Sequence, residues 1–235
     1  MTDTKIEYLA WDSDFFKKKI GRVSIGNSDN LENILKRAKD TNYQLIYVFD
    51  NEQFNVENKV LKQYNGKLVD RKVHYHRWIT ELSPFSEQIE NYTGNLTEEL
   101  ENLAYMSGAF SRFKLDKNFA EGDFYRMYKI WIAKSLDGQF ADNTFVVRES
   151  GKIKGIVTLK IDDTKGHIVM IAVSPDAQGK GYGKALINTC ENKLLRNGIS
   201  TLEVPTQLDN IQACKFYEKC DFRIREIINV YHFWL

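Results

Sequence analysis

A run of alternating glycines is the part of the sequence best suited to bind a charged ligand. The segment Gln178-Gly179-Lys180-Gly181-Tyr182-Gly183 follows an apolar run, His167 to Val173, and precedes an amphipathic stretch, Lys184 to Arg196. Without side chains in the turn, backbone N–H groups at the start of the following helix can reach phosphate oxygens. A dinucleotide-binding fingerprint would need glycine at position 184, and a P-loop would need four residues between its glycines, so neither matches. The glycines alone are equally consistent with a tight turn that binds nothing.

The charge balance argues against one class of binding protein. Of 235 residues, 33 are Lys or Arg and 32 are Asp or Glu, which leaves a net charge of +1. Proteins that bind nucleic-acid polymers by neutralising phosphates are usually strongly basic. We therefore expect no nucleic-acid partner, while a local basic pocket for a small phosphorylated ligand stays possible.

Neither disulfides nor a metal site is indicated. Cys190, Cys214 and Cys220 are odd in number and show no Cys-x-x-Cys spacing, so we expect reduced thiols in the core. His74 and His76 share one face of a predicted strand, but no third ligand accompanies them. The sequence therefore predicts a protein without a metal.

Targeting and membrane segments are not evident in the sequence. Met1 to Ala10 is polar, and no stretch approaches the ~18 uninterrupted apolar residues of a membrane span. We expect a soluble cytoplasmic protein without a membrane partner.

The pattern of hydrophobic residues changes across the segment Leu82 to Asn95. Before it, Gln44 to Phe49 and Lys67 to Ile79 have the composition of strands. We therefore predict two domains: a small N-terminal α+β subdomain at residues 1–90 and a second domain at residues 91–235.

The second domain has an order of elements that predicts a mixed sheet. Its first helix has Asn95 as the predicted N-cap, its second helix ends at Gly138, and Glu149-Ser150-Gly151 is a hairpin turn. A meander followed by β-α-β crossovers is typical of an α/β (α+β) fold with a mixed central sheet flanked by helices. The later predicted elements are strands Thr144–Arg148, Lys152–Ile161, His167–Val173, Thr201–Val204 and Phe222–Trp234, and helices Lys184–Arg196 and Asn210–Lys219.

Two segments of this domain resemble the motifs of one enzyme superfamily. Ile171-Ala172-Val173-Ser174-Pro175-Asp176-Ala177-Gln178, continuing through the glycines to Leu186, is similar to the acyl-CoA-binding motif of the GCN5-related N-acetyltransferase (GNAT) superfamily. Asn210-Ile211-Gln212-Ala213-Cys214-Lys215-Phe216-Tyr217 resembles the family's Asn-x-x-Ala-x-x-x-Tyr helix. In the family Gly-Phe follows that helix, whereas here Asp221 precedes Phe222. The departure concerns the turn after the helix and leaves the donor motif intact.

The resemblance implies a GNAT fold and a donor site for acetyl-CoA or another short acyl-CoA. Backbone N–H groups from Gly179 to Gly183 would bind the CoA diphosphate, with Lys180 adding charge. The pantetheine arm would pair with the strand that ends at Val173, whose N–H groups would also stabilise the oxyanion. The implied donor-binding residues are Ile171, Ala172, Val173, Gln178, Gly179, Lys180, Gly181, Tyr182, Gly183, Lys184, Asn210 and Phe216.

The resemblance also implies catalytic residues, Tyr217 and Asn210. Tyr217 would act as the general acid that protonates the CoA thiolate. The alternative is that Tyr217 only packs beside Phe216, as aromatic residues at helical spacing usually do. The resemblance does not identify the group that takes the proton from the attacking amine. The candidates are His167, a nearby carboxylate and a relay of water molecules.

A narrower resemblance is to the dTDP-fucosamine acetyltransferase group. It depends on Trp11-Asp12-Ser13-Asp14-Phe15-Phe16, Ser111-Arg112-Phe113 and Thr206-Gln207-x-x-Asn210. It implies transfer of an acetyl or 3-hydroxybutyryl group to the amino group of a dTDP-linked amino-dideoxyhexose, for the assembly of surface polysaccharide such as lipopolysaccharide. The first domain would contribute to the acceptor site. The implied acceptor-binding residues are Trp11, Phe15, Phe16, Ser111, Arg112, Phe113 and Gln207.

Other interpretations stay open at this point. The acceptor could be a protein N-terminus, a polyamine or another small molecule, or the protein could bind acyl-CoA without catalysis. The aromatic segment Val230 to Leu235 would suit an edge strand paired across a homodimer, and burial inside one chain explains it equally well.

Overall fold

The computed structural model describes residues 4–26, 30–51, 56–84 and 86–235, and the chain folds into two compact units. The first unit comprises Met1–Val73, Gln207–Asp209 and Glu226–Leu235, and the second comprises His74–Thr206 and Asn210–Arg225. This division differs from the predicted boundary after residue 90. The C-terminal residues belong to the first unit because they pair with a strand from that part of the chain.

The first unit is a small α+β unit, as the sequence predicts for this part of the chain. Its sheet has the strand order β1-β2-β3-β10-β4, with β2 parallel to β3 and β10 antiparallel to β3. Strands β4 and β10 also extend into the second unit. The elements are β1 (Glu7–Tyr8), α1 (Ala10–Phe16), β2 (Ile20–Ile25), α2 (Leu31–Asp40), β3 (Leu45–Asp50), α3 (Asn58–Gln63), β4 (Gly66–Trp78) and β10 (Arg223–Trp234).

The core of the first unit forms where α2 packs against the sheet. The Asn30 side chain begins α2 by accepting a hydrogen bond from the Asn33 N–H at 3.0 Å. Strand β10 is buried here, since Val230 and Phe233 are almost inaccessible to solvent. Burial inside one chain therefore accounts for the apolar C-terminal segment. The buried cluster comprises Val23, Ile25, Ile34, Leu35, Ala38, Ile46, Val48, Tyr231 and Phe233.

The second unit contains the mixed sheet that the sequence predicts, in the strand order β4-β9-β8-β7-β6-β5. Strands β5 to β8 are antiparallel neighbours, whereas β8 and β9 are parallel. A 3-10 turn, Pro175–Ala177, precedes α7. The elements are β5 (Ile89–Asn91), α4 (Glu98–Ser107), α5 (Arg112–Leu115), α6 (Asp123–Leu136), β6 (Asn143–Glu149), β7 (Lys152–Ile161), β8 (Gly166–Val173), α7 (Tyr182–Arg196), β9 (Thr201–Gln207) and α8 (Ile211–Lys219).

Two local features of this unit differ from the sequence prediction. Thr97, and not Asn95, is the N-cap of α4, and its side chain accepts a hydrogen bond from the Leu100 N–H at 3.4 Å. The Asn95 carbonyl instead accepts a hydrogen bond from the Tyr92 hydroxyl at 2.6 Å, so it belongs to the preceding turn. Helix α5 was not predicted, because four residues are too few to show a helical period.

All three cysteines are free and buried, as predicted. Among the described residues, no helix combines the length and the apolar character needed to span a membrane.

Candidate functional site

The parallel strands β8 and β9 pair at only one end. Their register contains two pairs, Gly166↔Leu202 and His167↔Glu203. Strand β8 continues to Val173 and β9 to Gln207, yet the ladder between them stops after the second pair. Because an interior strand normally pairs on both sides, this separation leaves backbone hydrogen-bonding groups of β8 without a strand partner.

The edge of β8 that faces β9 can be identified from its hydrogen bonds to β7. The Met170 N–H donates to the Thr158 hydroxyl at 3.0 Å, and the Ser174 N–H donates to the Lys154 carbonyl at 2.7 Å. Since backbone groups alternate along a strand, Ile171 and Val173 direct their N–H and C=O groups to the other side. These two residues therefore present polar backbone groups to the opening beside β9.

A bulge in β8 lies beside this opening. Thr158 pairs with Met170 and Leu159 pairs with Ile168, so Val169 is an extra residue in β8. Val169 is 37% exposed although it lies in an interior strand. Bulges of this kind redirect a strand and are common next to functional sites.

The glycine loop after β8 forms an open cradle at the start of α7. Gly179 and Gly181 have φ angles of +79° and +83°, and a Cβ atom at either position would meet nothing within 4 Å. Gly181 is the N-cap of α7 and no side chain caps the helix. The first N–H groups of the helix, starting at Tyr182, consequently have no intrahelical acceptor. The loop is shaped to bind an anion, and its glycines are required by the backbone conformation.

Residues at the two ends of the loop hold it against β8 and α8. The Gln178 Nε2 donates to the Val173 carbonyl at 3.1 Å, and the Gln212 Nε2 donates to the Gln178 Oε1 at 3.2 Å. At Gly183, a Cβ atom would lie 3.1 Å from the Phe216 ring, so a larger residue would require that ring to shift by a few tenths of an ångström. The structure thus brings together the predicted donor-binding residues 171–173, 178–184 and 216.

Two ion pairs to the β6–β7 hairpin also hold the loop. Lys180 pairs with Glu149 at 2.7 Å, and Asp176 pairs with Lys154. The Lys154 ammonium, together with a hydrogen bond from Ser174, lowers the pKa of Asp176 to about 2. Glu149 and Gln212 were not predicted as site residues, and no spacing in the sequence connects Glu149 with the loop.

Helix α8 carries the predicted catalytic residues. Asn210 is its N-cap, and its side chain accepts a hydrogen bond from the Ala213 N–H at 3.2 Å. Tyr217 is 4% exposed, and its ring lies 5.6 Å from the Tyr75 ring. Burial raises the pKa of Tyr217 above the ordinary value for tyrosine. The buried hydroxyl therefore stays protonated at neutral pH.

His167, considered as a proton acceptor for the amine, lies at the closed end of the β8–β9 pair. Its Nε2 is 2.9 Å from Asp162 Oδ2, and its Nδ1 is 3.7 Å from Glu203 Oε2. Hydrogen bonds, first from His167 and then from the Thr164 backbone, lower the pKa of Asp162. Val173 is six residues further along the strand, or ~20 Å at the usual rise. The structure therefore places His167 in a hydrogen bond with Asp162, away from the glycine loop.

The predicted acceptor residues of the second unit surround α5. Ser111 is the N-cap of α5, and its hydroxyl accepts a hydrogen bond from the Phe113 N–H at 3.4 Å. The Arg112 guanidinium carbon lies 4.5 Å from the centre of the Phe113 ring. Phe113 in turn contacts Phe119 and Trp131. The structure therefore gives Ser111 and Phe113 clear packing roles beside Arg112.

The predicted acceptor residues of the first unit lie on α1 and at the end of β9. The rings of Trp11 and Phe15 stack with centres 5.0 Å apart, and Phe15 meets Phe16 edge to face at 4.8 Å. Trp11 is exposed, whereas Phe16 is buried. Gln207 is half-buried at the last position of β9. The exposed Trp11 ring, stacked on the half-buried Phe15, provides a flat apolar surface.

Comparison with protein families gives one match that covers this site. The model of the acetyltransferase (GNAT) family matches residues 104–222, which is just over half of the 235-residue chain. The matched region contains β8, the glycine loop, β9 and α8.

Individual relatives and structures add to this match. An acetyltransferase of Yersinia enterocolitica is 35% identical over 85 residues, which are 36% of this chain and 60% of that relative. The chain therefore spans less than two thirds of that relative's length. A dTDP-fucosamine acetyltransferase of Escherichia coli is 28% identical over 214 residues, 90% of each chain. The structure of a GCN5-related N-acetyltransferase from Sphaerobacter thermophilus superimposes with a TM-score of 0.60 at 13% identity, covering 97% of this chain and 75% of that one. This last likeness concerns the fold alone.

Proposed function

Because the chain belongs to the acetyltransferase (GNAT) family, we propose that it transfers an acetyl or short hydroxyacyl group from acyl-CoA to the amino group of a dTDP-linked amino-dideoxyhexose. The observation that carries the donor half is the separation of β8 from β9 next to an open, uncapped helix N-terminus. The proposed product would serve the assembly of a surface polysaccharide.

Both the diphosphate and the pantetheine arm of the acyl-CoA donor match features of this site. The diphosphate of CoA needs several N–H donors around an open turn, and the loop from Gly179 to Gly183 supplies them without Cβ atoms in the way. The pantetheine arm contains two amide groups, which can bond to the free edge of β8 as an added strand would. The backbone groups of Ile171 and the N–H of Val173 would be its partners, since the Val173 carbonyl already accepts from Gln178. The reactive thioester would then lie beside the β8 strand.

The reaction requires one bond exchange and one proton transfer. The neutral amine nitrogen attacks the thioester carbonyl carbon, and a β8 N–H group would stabilise the resulting oxyanion. The C–S bond then breaks as the C–N bond becomes an amide. The amine loses one proton and the sulfur of CoA gains one, so the products are an amide and a free thiol.

Tyr217 is the proposed donor of the proton to sulfur. Its raised pKa keeps the hydroxyl protonated at neutral pH. A protonated hydroxyl can stabilise the negative charge that develops on the departing sulfur. The proton lost by the amine would reach the phenolate through water. Asn210 would assist by beginning α8 and so positioning Tyr217.

The acceptor half of the proposal has separate support. A relative that matches 90% of this chain is named a dTDP-fucosamine acetyltransferase. Arg112 offers a cation for a sugar-linked diphosphate, and the stacked Trp11 and Phe15 rings offer a surface for a base. The role of each of these residues in acceptor binding is part of the proposal and is argued within its own unit.

A thiol-release assay tests both halves. Purified protein is incubated with acetyl-CoA or 3-hydroxybutyryl-CoA and with dTDP-3-amino- or dTDP-4-amino-dideoxyhexose, and the product is identified by mass. We expect one pair to release thiol with a matching gain in product mass. If acyl-CoA binds but no dTDP-aminosugar is acylated, the acceptor half is wrong, and a polyamine and an N-terminal peptide are the next acceptors to assay. If neither acyl-CoA binds, the donor half is wrong.

A further inference from the structure

The carboxylate of Glu149 contacts the glycine loop, where the phosphates of the proposed donor would bind. Its carboxylate oxygens lie 2.7 and 2.9 Å from the Lys180 Nζ. Both side chains are partly open to solvent, with 45% of Lys180 and 33% of Glu149 exposed. The carboxylate raises the pKa of Lys180, so the ammonium stays charged while its charge is neutralised locally.

The position of Glu149 is determined by a tight turn and not by a flexible loop. Glu149 pairs with Lys152 across a two-residue connection, in which Ser150 and Gly151 have φ angles of +51° and +78°. Positive φ at both residues is the conformation of a type I′ hairpin turn, which restricts the strand ends. The hairpin therefore presents the carboxylate at a defined place beside the loop.

Lys180 lies within the glycine loop, at the place where the phosphates of the proposed donor would bind. It stands between Gly179 and Gly181, the two positions of the cradle that leave space for a ligand. A phosphate bound there needs the Lys180 ammonium, and a nearby carboxylate both competes for that cation and repels the phosphate. The second ion pair of the loop, Asp176 with Lys154, precedes these glycines.

We infer that Glu149 competes with the phosphate groups of acyl-CoA for Lys180 and thereby lowers the affinity of the loop for donor and for the CoA product. This inference rests on the proposed function, because it requires CoA at the glycine loop. Lys180 exchanges one anionic partner for another when CoA binds and returns to Glu149 when CoA leaves. Glu149 is therefore a residue that sets donor affinity without being required for the acyl transfer.

Equilibrium binding of CoA to matched variants tests this role. In Glu149→Gln the side chain keeps its size and loses its charge, and we expect CoA to bind about two- to fivefold more tightly at low salt, because Lys180 no longer gives up an exposed ion pair to meet the phosphate. Asp142→Asn is the control, because it makes the same change in net charge and also removes a lysine ion pair, that with Lys160. We expect its affinity for CoA to stay within about twofold of the parent.

A second background separates competition for Lys180 from simple repulsion. In Lys180→Met, the gain in CoA affinity from Glu149→Gln should become clearly smaller, because the competition for the cation is gone and only direct repulsion of the phosphate remains. A gain of equal size in that background would overturn the inference, as would a Glu149→Gln variant that binds CoA no more tightly than the parent. At about 1 M salt the gain should shrink toward none, since exposed charges are screened within ~3 Å.

The failure of this inference is distinguishable from that of the proposed function. If the parent binds CoA and Glu149→Gln leaves its affinity unchanged, only the role of Glu149 is wrong. If the parent binds no CoA, the donor half of the proposed function is wrong and this inference falls with it. Dephospho-CoA, as a parallel probe, shows which phosphate Lys180 contacts: a gain with CoA alone indicates the 3′-phosphate, and a gain with both indicates the diphosphate.

Discussion

A parallel strand pair is present among the described residues of each unit, and the two pairs differ in how many residues they join. In the first unit, β2 and β3 pair at all six positions, from Ile20↔Leu45 to Ile25↔Asp50. In the second unit, β8 and β9 pair at two positions and then separate. Every residue of β3 is buried, whereas the last three residues of β8 are only half-buried.

This difference shows how one type of local structure can serve either stability or binding. A fully paired strand satisfies its own backbone groups and is covered by a helix, so its side chains contribute to the core. A strand whose neighbour separates retains backbone donors and acceptors that a ligand can use. The four predictions below test whether the closed pair carries stability and the open pair carries function.

The largest expected effect is on catalysis at the open pair. Tyr217→Phe keeps the ring that packs near Tyr75 and removes the hydroxyl, so we expect kcat to fall by about 100-fold or more while the CoA Kd is unchanged. Steady-state kinetics and equilibrium CoA binding check this. Tyr231→Phe is the matched control, since Tyr231 is also a buried tyrosine but pairs with β3. A control that loses as much kcat as Tyr217→Phe would contradict the assignment.

A pair of valine substitutions compares the stability carried by the two regions. Val48 in β3 is fully buried, and Val48→Ala should lower the free energy of unfolding by about 2 to 3 kcal/mol through lost apolar burial and a cavity. Val173→Ala, at the half-buried end of β8, should cost less than about 1 kcal/mol. Denaturant unfolding measures both. Equal losses of stability would mean that the open end of β8 is packed as firmly as β3.

A pair of glycine substitutions distinguishes an effect on CoA binding at the glycine loop from the general cost of backbone strain. Gly181 and Gly138 both have a φ of +83°, and neither position has an atom within 4 Å of an added Cβ. Alanine at either position should therefore cost a similar free energy of unfolding, about 1 kcal/mol. Only Gly181→Ala should also weaken CoA binding, by about tenfold, because the new methyl group enters the cradle. If Gly138→Ala weakens CoA binding equally, the loop has no special role.

The smallest expected effect concerns pH: we expect activity not to decrease at high pH. Burial raises the pKa of Tyr217, so the folded protein keeps this proton above pH ~10, where a free tyrosine loses it. The rate should rise as the amine acceptor loses its proton and should not decline between about pH 8 and pH 10. Initial rates over that range, with the fold monitored by circular dichroism, check this. A decline with the fold intact would mean that a group other than Tyr217 supplies the proton.

Most helices and strands of the second unit could be predicted from the sequence. The hairpin, β8, α7 and α8 lie where the apolar periods and turn residues place them, and Gly138 ends α6 with a φ of +83°. These features depend on neighbouring residues only, so a short window of sequence is sufficient to predict them. The predicted N-cap at Asn95 was wrong because the hydroxyl of Tyr92 holds the Asn95 carbonyl in a turn.

The candidate site was predictable to a smaller degree. The glycines and Tyr217 stand in motifs, and the structure brings the predicted donor-binding residues together. Glu149 could not be predicted, because it lies 31 positions before its partner Lys180 and its own surroundings indicate only a turn. His167 is the opposite case. The sequence places it in β8, near the predicted donor site, but the structure shows it hydrogen-bonded to Asp162 at the closed end of the strand pair.

The sequence by itself determined local features, namely the glycines that permit a tight turn after β8, the periods of the helices and the alternation of the strands. These features follow from the steric and hydrophobic properties of adjacent residues. Only the tertiary structure decided that β8 separates from β9, that β10 pairs with β3, and that Glu149 meets Lys180. Such contacts join residues that are far apart in the chain, and their free energy depends on how whole elements pack, which no local pattern records.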